Sequence, residues 1–294
     1  MLSSPCGAPD AVNPDTLTNA QYPDSIAYEY DGDLWLIELD SLRKSRLTAD
    51  GNNRYSAWSA DGRYLVYEHF AGNKTDLRIL DVQAKKDWLF QSNACCAAWS
   101  PEGNALAFFS HDNYDFEMAY LAASDATSQL CCGNWVGTAP FAAPDTPMFW
   151  SADNWLYIPG LDPPSSRRIQ VYDMESTGFS WLTVPDRNSC FYALSKAPDQ
   201  GLLAVTQDKS CTLTPDNPQV VIMDDNGVWH ELPTASSSYL SWSTDGTWVA
   251  YEGSALRCAV SPCPYGINIL NMDTLENRLI VEGGAQPAWR PLCK

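Results

Sequence analysis

The chain of 294 residues is strongly acidic: 36 Asp and Glu oppose 18 Lys and Arg, which gives a formal net charge of −18. This charge disfavours nucleic acids and anionic membrane surfaces as partners, because both repel an acidic protein. Hydrophobic residues make up 45% of the chain, and the 12 Trp and 14 Tyr favour β-strands. No apolar run approaches the length of a membrane span.

The first 24 residues predict an extended arm, because four prolines alternate there with small polar residues. The opening sequence, Met1 to Cys6, lacks the basic and apolar regions of a secretory signal. An exported protein would therefore have lost its signal before this numbering begins. Strands are predicted at 25–30, 33–39 and 46–48, with the Asp31-Gly32 turn joining the first two.

A repeated unit begins at residue 57 and continues to the end of the chain. Each complete unit contains Trp-Ser or a degenerate copy, a turn rich in Asp and Gly, and an apolar strand, whereas the last copy is truncated. The anchor residues of the six copies are Trp58, Trp99, Trp150, Leu194, Trp242 and Trp289. Their spacings of 41, 51, 44, 48 and 47 residues are typical of propeller blades or solenoid repeats.

Each complete unit predicts four short antiparallel strands, which we call A to D from the Trp-Ser strand onward. This is the blade of a β-propeller. The first unit, from residue 25, lacks strand A, whereas the last, around Trp289, has only strand A. Joining the two closes a six-bladed ring and removes two open sheet edges. The sequence thus predicts an all-β protein with an arm at 1–24 and a single propeller at 25–294.

The Trp-Ser-Pro/Ala-Asp/Glu-Gly motif followed by an apolar strand resembles the WD40-like repeat of TolB-type six-bladed propellers. The resemblance covers roughly residues 25–292. It implies the propeller fold, and it implies roles that range from protein interaction to solute or glycan binding and the capping of peptidases. The chain lacks the α/β domain that precedes the propeller in TolB, and it lacks a hydrolase domain, so the resemblance alone does not choose a function.

Ten cysteines, many in predicted loops, favour disulfides and an oxidising, exported location: periplasm, cell surface or extracellular space. Placement on the blades predicts bridges Cys190–Cys211, Cys258–Cys263 and Cys6–Cys293. It also predicts two bridges between the pair Cys95 and Cys96 and the pair Cys131 and Cys132. The alternatives are a zinc site of four thiolates, a ring disulfide within an adjacent pair, and free thiols.

The D-to-A and B-to-C loops share one side of the predicted disc, which we call the loop face. Its long insertions offer aromatic anchors of the kind that protein interfaces use, namely Tyr114, Trp135, Phe141 and Tyr265. The same face carries acidic residues at equivalent ends of B strands and in one loop: Glu29, Glu68, Glu252 and Asp112. Calcium takes carboxylate oxygens from such loops, so it is a candidate ligand, but no calcium-loop motif is present.

No nucleophile elbow, zinc-protease motif or phosphate-binding loop occurs in the sequence. We therefore predict a protein that is not an enzyme and needs no cofactor. The leading hypothesis is an exported protein-interaction module that binds a protein partner or self-assembles, for example as a subunit of a cell-surface or extracellular assembly. The alternative is a binder of a small solute, a glycan or a cation such as calcium on the loop face or at the channel mouth.

Overall fold

The structure is a computed structural model that describes most of the chain. The described residues are 24–103, 105–110, 115–120, 131–137, 148–162, 166–176, 178–182, 190–198, 201–209, 219–224, 229–232, 239–254 and 264–291. Only the backbone is described at 115–120, 131–137, 161–162, 166–167 and 229–232. The predicted arm lies almost wholly outside these ranges, as do Tyr114, Phe141 and Asp112.

The described strands form six four-stranded antiparallel sheets, each of which is a blade. Blade 1 contains β1 (Ser25–Tyr30), β2 (Asp33–Glu38), β3 (Lys44–Arg46) and β24 (Ala285–Trp289). Blade 2 contains β4 (Asn53–Trp58), β5 (Tyr64–Ala71), β6 (Lys74–Asp81) and β7 (Lys86–Gln91). Blade 3 contains β8 (Ala94–Trp99), β9 (Ala105–Ser110), β10 (Asp115–Tyr120) and β11 (Cys131–Gly137).

The other three blades repeat this order. Blade 4 contains β12 (Phe149–Trp150), β13 (Trp155–Asp162), β14 (Ser166–Asp173) and β15 (Gly178–Trp181). Blade 5 contains β16 (Cys190–Lys196), β17 (Leu203–Asp208), β18 (Gln219–Met223) and β19 (Trp229–Leu232). Blade 6 contains β20 (Leu240–Trp242), β21 (Trp248–Ser254), β22 (Tyr265–Asn271) and β23 (Asn277–Glu282). No helix occurs in the described part of the chain, so the predicted all-β propeller is confirmed.

The first and last strands of the described part of the chain meet in blade 1. Strand β24 pairs antiparallel with β1, with Ile26 opposite Trp289 and Ala27 opposite Ala288. The last strand of the chain thus supplies the innermost strand of the first blade, as the sequence predicts. This pairing satisfies the backbone groups that β1 would otherwise expose as a sheet edge.

The repeated motif builds a turn and a contact between blades. In blade 2 the Ser59 hydroxyl donates to Asp61 Oδ1 at 2.5 Å and accepts the N–H of Tyr64 at 2.9 Å, which closes the turn between strands A and B. The indole Nε1 of Trp58 donates to the carbonyl of Ala288 in blade 1 at 3.1 Å. Trp99 and Trp242 make the same bond to the preceding blade, at 3.1 and 2.9 Å. These three copies of the motif therefore fasten one inner strand to the next, whereas the indole of Trp150 donates to Asn154 in its own turn at 3.0 Å.

The core lies between neighbouring blades. A typical cluster packs Trp58, Leu65 and Tyr67 of blade 2 against Ala27 and Leu34 of blade 1. The second strand of a blade is packed between neighbouring blades on both faces, and all six residues of β9 and of β17 are buried. No helix in the described ranges is both long and apolar enough to cross a membrane.

The predicted strand D of blade 3 is wrong in position. We expect it near Gln129 and Leu130, followed by a loop that starts at Cys131. Instead, β11 runs from Cys131 to Gly137 and pairs with β10. Trp135 therefore lies opposite Glu117 in the outermost strand rather than in a loop. The aromatic and β-branched pair Trp135-Val136 suits a strand, because such side chains pack well on a pleated sheet.

Candidate functional site at the channel mouth

The innermost strands of all six blades surround a central cavity of about 950 Å³. Small side chains from these strands keep the ring centre open, among them Ser56, Ala57, Ala98, Ala193, Ser241 and Ala288. At the loop face the cavity is bordered by Tyr55, Tyr239 and Gln286. A volume of this size falls within the range of small-molecule sites.

Tyr55 and Tyr239 pack together at this end of the channel, with ring centroids 5.5 Å apart. Burial raises the pKa of Tyr239 well above its ordinary value, and the nearby Tyr55, Glu252 and Glu68 raise it further. Burial is also the largest cause of the raised pKa of Tyr55, whose hydroxyl is hydrogen-bonded to that of Tyr239. Both phenols therefore stay protonated at neutral pH, next to two carboxylates. We call Tyr55, Glu68, Tyr239, Glu252 and Gln286 the mouth cluster.

The inner strands bulge where they pass the mouth cluster. The ladder register shifts in β4, in β8 and between β1 and β24. At these points Tyr55, Cys96 and Gln286 adopt left-handed φ values of 53°, 64° and 54°. A bulge frees a backbone N–H from the ladder. The structure therefore needs an acceptor outside the sheet at each of the three positions.

Side chains of the mouth cluster supply these acceptors across blade boundaries. Glu68 Oε1 accepts the N–H of Cys96 at 2.7 Å, and Glu252 Oε2 accepts that of Gln286 at 2.9 Å. The side-chain Oε1 of Gln286 accepts the N–H of Tyr55 at 2.8 Å. These three hydrogen bonds thus connect blade 2 to blade 3, blade 6 to blade 1, and blade 1 to blade 2. Sequence reasoning missed Gln286, because no local pattern marks it.

The predicted acidic positions are structurally equivalent, but their carboxylates are hydrogen-bonded to the protein. Glu29 accepts the N–H of Gly32 within its own hairpin at 2.5 Å, whereas Glu68 and Glu252 accept from the next blade. Asp112 lies outside the described residues. Calcium takes six to eight oxygen ligands, and the described part of the chain does not show such a set converging here. Calcium binding at these positions stays a prediction.

Replacing Glu68 with Ala is expected to lower the free energy of unfolding by about 1–3 kcal/mol, because the buried N–H of Cys96 would lose its acceptor. Glu68 is 5% exposed, so water does not readily replace the carboxylate. Glu68→Gln should cost less, since an amide oxygen still accepts the bond. Urea unfolding followed by Trp fluorescence measures both. Equal stability of Glu68→Ala and the wild type would contradict the fastening role.

Tyr265, the predicted aromatic anchor whose side chain the structure describes, lies beside the mouth cluster. Its side chain is 43% exposed, and its hydroxyl donates to Glu252 Oε1 at 2.5 Å. Tyr30 is 45% exposed and covers Gly283, where an added Cβ would lie 3.3 Å from its ring. The N–H of Gly283, which has a φ of 73°, donates to the Tyr265 carbonyl at 2.8 Å. We call Tyr30, Tyr265 and Gly283 the tyrosine patch.

The cysteines divide between described and undescribed parts of the chain. Cys190 is buried in β16 and is disulfide-bonded. Its predicted partner, Cys211, lies outside the described residues, as do Cys6, Cys258, Cys263 and Cys293. The pairings Cys190–Cys211, Cys258–Cys263 and Cys6–Cys293 therefore stay predictions.

The predicted bridges between the two adjacent pairs do not fit the sheet order. Cys95 and Cys96 lie in β8, the innermost strand of blade 3, whereas Cys131 and Cys132 lie in β11, the outermost. Three strand spacings separate them by about 14 Å. A disulfide spans Cα atoms less than about 7 Å apart, so this backbone excludes the bridges. The same distance excludes a four-thiolate zinc site shared by both pairs.

No sequence-family model matches the chain, and no curated protein sequence matches it either. Solved structures do match. TolB from Acinetobacter baumannii superposes with a TM-score of 0.71 at 18% identity, covering 92% of this chain and 67% of TolB. A chain of a nidogen/laminin complex gives a TM-score of 0.66 at 9% identity, covering 92% of this chain and 100% of the other. An oligogalacturonate lyase in complex with manganese gives 0.53 at 10% identity, covering 85% and 70%.

These likenesses establish the fold, and they confirm the TolB-type propeller that the repeat indicated. Identities of 9–18% carry no function from one protein to another. An oligogalacturonate lyase shares this ring with TolB and with a chain of a nidogen/laminin complex, so the ring itself does not decide between binding and catalysis.

Proposed function

We propose that this chain is an exported, non-catalytic propeller that binds a protein partner through its loop face. The observation that carries the proposal is the tyrosine patch, in which Tyr30 and Tyr265 stand exposed at the edge of the channel mouth. Exposed tyrosines on a rigid scaffold are typical anchors of protein interfaces. The fold neighbours support this choice, since they include TolB and a chain of a nidogen/laminin complex.

Two further features support the chemistry of the partner and the location. The net charge of −18 and the carboxylates of the mouth cluster favour a basic partner surface, because opposite charge speeds association. The disulfide at Cys190 is consistent with an oxidising compartment. The predicted anchors Tyr114 and Phe141 remain part of this proposal, whereas Trp135 belongs to the outer strand of blade 3.

Replacing both Tyr30 and Tyr265 with Ala should weaken partner binding by roughly 30-fold or more, which corresponds to the 2 kcal/mol that defines an interface hot spot. The partner is first captured from the source extract on immobilised wild-type chain and identified by mass spectrometry. Isothermal titration calorimetry then measures its affinity for each variant.

Trp155→Ala is the matched control, because Trp155 is 43% exposed on the opposite face, at the turn between strands A and B of blade 4. The control should bind like the wild type. If the double variant binds as tightly as the wild type, or if the control is equally weakened, the loop face is not the interface.

A second function, the binding of a small solute, glycan or cation, is favoured by the central cavity of about 950 Å³ and its mouth of two tyrosines and two carboxylates. A ligand that binds only the folded protein raises its melting temperature. A thermal-shift screen with calcium and sugars tests this alternative. An unchanged melting temperature with every compound, at concentrations up to the solubility limit, would reject it.

A further inference from the structure

Two adjacent cysteines and a glutamate converge at the boundary of blades 2 and 3. The Sγ atoms of Cys95 and Cys96 and a carboxylate oxygen of Glu68 all lie within 4.8 Å of one another. All three residues are buried, with exposures of 3%, 4% and 5%. Among the described residues, this is the single cluster of three or more His, Cys, Asp or Glu side chains arranged so closely.

The bulge in β8 is the physical cause of this convergence. Neighbouring residues of a regular strand point to opposite faces of the sheet, so the thiols of Cys95 and Cys96 would normally be separated. Here the register shifts between Cys95 and Ala98, and Cys96 has a φ of 64°. The extra residue turns Cys96 towards blade 2, where its N–H is bonded to Glu68 at 2.7 Å. Glu68 therefore stabilises the same backbone bulge that brings the two thiols close to its carboxylate.

We propose that Glu68, Cys95 and Cys96 form a binding site for a thiophilic metal ion, with Zn²⁺ as the expected ligand. Zinc binds cysteine sulfur at about 2.3 Å and carboxylate oxygen at about 2.0–2.2 Å, in a tetrahedron. Two sulfurs on such an ion lie about 3.8 Å apart, which the observed cluster accommodates. Thiolates select against Ca²⁺ and Mg²⁺, so this site differs from the calcium site predicted on the acidic positions.

Zinc binds cysteine as the thiolate, so both thiols release their protons when the ion binds, and the cation then compensates the charge of the buried thiolates and carboxylate. A zinc ion leaves one net negative charge and a fourth coordination position that the three residues do not fill. The site borders the mouth cluster, since Tyr55 interacts electrostatically with both Glu68 and Cys96.

The test titrates the full chain, reduced with a phosphine and freed of metal by a chelator. Zn²⁺ binding is followed by calorimetry, and Cd²⁺ binding by the ultraviolet absorption of its thiolate bonds. We expect the wild type to bind one equivalent more than Cys95→Ser/Cys96→Ser, whose other cysteines are unchanged. Glu68→Gln should weaken that equivalent by roughly 10–100-fold or more, because an amide is a poorer ligand.

Glu276→Gln is the control, because Glu276 is an exposed carboxylate that pairs with Arg278 between β22 and β23, away from the mouth cluster. It should bind the metal like the wild type. Equal stoichiometry and affinity in the wild type and the double serine variant would overturn the proposal. So would a loss in Glu276→Gln as large as that in Glu68→Gln.

A second measurement keeps the proposal testable if the serine variant fails to fold. Thiol alkylation of the native wild type is mapped by mass spectrometry with and without one equivalent of Zn²⁺. We expect the metal to slow alkylation of Cys95 and Cys96 more than tenfold, and unchanged alkylation rates would overturn the assignment.

Discussion

A stop after Gly284 is expected to prevent the chain from folding to a stable monomer. The truncation removes β24, and with it the buried Trp289 and the pairing of β1 with its inner neighbour. Loss of one buried Trp side chain alone costs about 3–5 kcal/mol, and the whole stability of a domain is only about 5–15 kcal/mol. The exposed edge of β1 would also offer a template for aggregation.

The segment beyond β24 contributes a second connection that the truncation removes. Arg290 is 4% exposed, its Nε donates to the carbonyl of Gly62 at 2.7 Å, and its guanidinium lies 5.0 Å from the ring centre of Trp58. This residue of blade 1 thus fixes the first turn of blade 2. Arg290→Ala should therefore destabilise the closed ring by itself, by about 2–4 kcal/mol.

Circular dichroism and size-exclusion chromatography measure the outcome. The matched control stops after Pro291, which keeps β24 and Arg290 but removes Cys293 and its predicted bridge to Cys6. We expect the control to remain folded and monomeric. A folded, cooperative protein after the Gly284 stop would show that sheet closure is not needed for stability.

Replacing Asp33 with Ala is expected to lower the free energy of unfolding at pH 7 by about 2–4 kcal/mol, because the buried amide of Asn53 and three further donors would lose their shared acceptor. Asp33 is 2% exposed. It accepts hydrogen bonds from Arg46, from Thr48 Oγ1 at 3.0 Å and from the N–H of Gly51 at 3.1 Å. Asn53 Nδ2, which belongs to blade 2, donates to the same carboxylate at 3.3 Å.

This contribution should depend on pH in a defined direction. Burial alone would raise the pKa of Asp33, but the hydrogen bonds from Arg46, Gly51 and Thr48 and the charge of Arg46 lower it below its ordinary value. A lowered pKa in the folded state stabilises the protein above the pKa of the unfolded chain, about 3.9. The stabilisation is lost as the pH falls through the lower pKa of the folded state.

Urea unfolding of the wild type and Asp33→Ala at pH 7 and at pH 3 tests both statements. The difference in unfolding free energy should be largest at pH 7 and smaller at pH 3. Glu276→Ala is the control, since its pair with Arg278 is 51–59% exposed and should contribute less than about 1 kcal/mol. A difference for Asp33→Ala that is unchanged, or larger, at the lower pH would contradict the assigned direction.

The sequence by itself determined the ring and its closure. The reason is local: the Trp58-Ser59 pair and Asp61 form a turn from their own hydrogen bonds, so each copy of the motif marks the same place in a blade. The incomplete units at the two ends likewise identified the shared blade. Tyr265, Glu68 and Glu252 were placed on the correct face because alternating strand directions fix which loops share a side of the disc.

Only the tertiary structure decided what these residues contact. The bulges at Tyr55, Cys96 and Gln286 depend on the register between paired strands. The alternation of side chains along a single strand does not reveal that register. Those bulges turned Glu68 and Glu252 into acceptors for the next blade, gave Gln286 a role and brought Cys95 and Cys96 to one side. The distance between Cys96 and Cys131 was likewise decided by the order of strands in the sheet. Both residues belong to blade 3, but Cys96 lies in its innermost strand and Cys131 in its outermost strand.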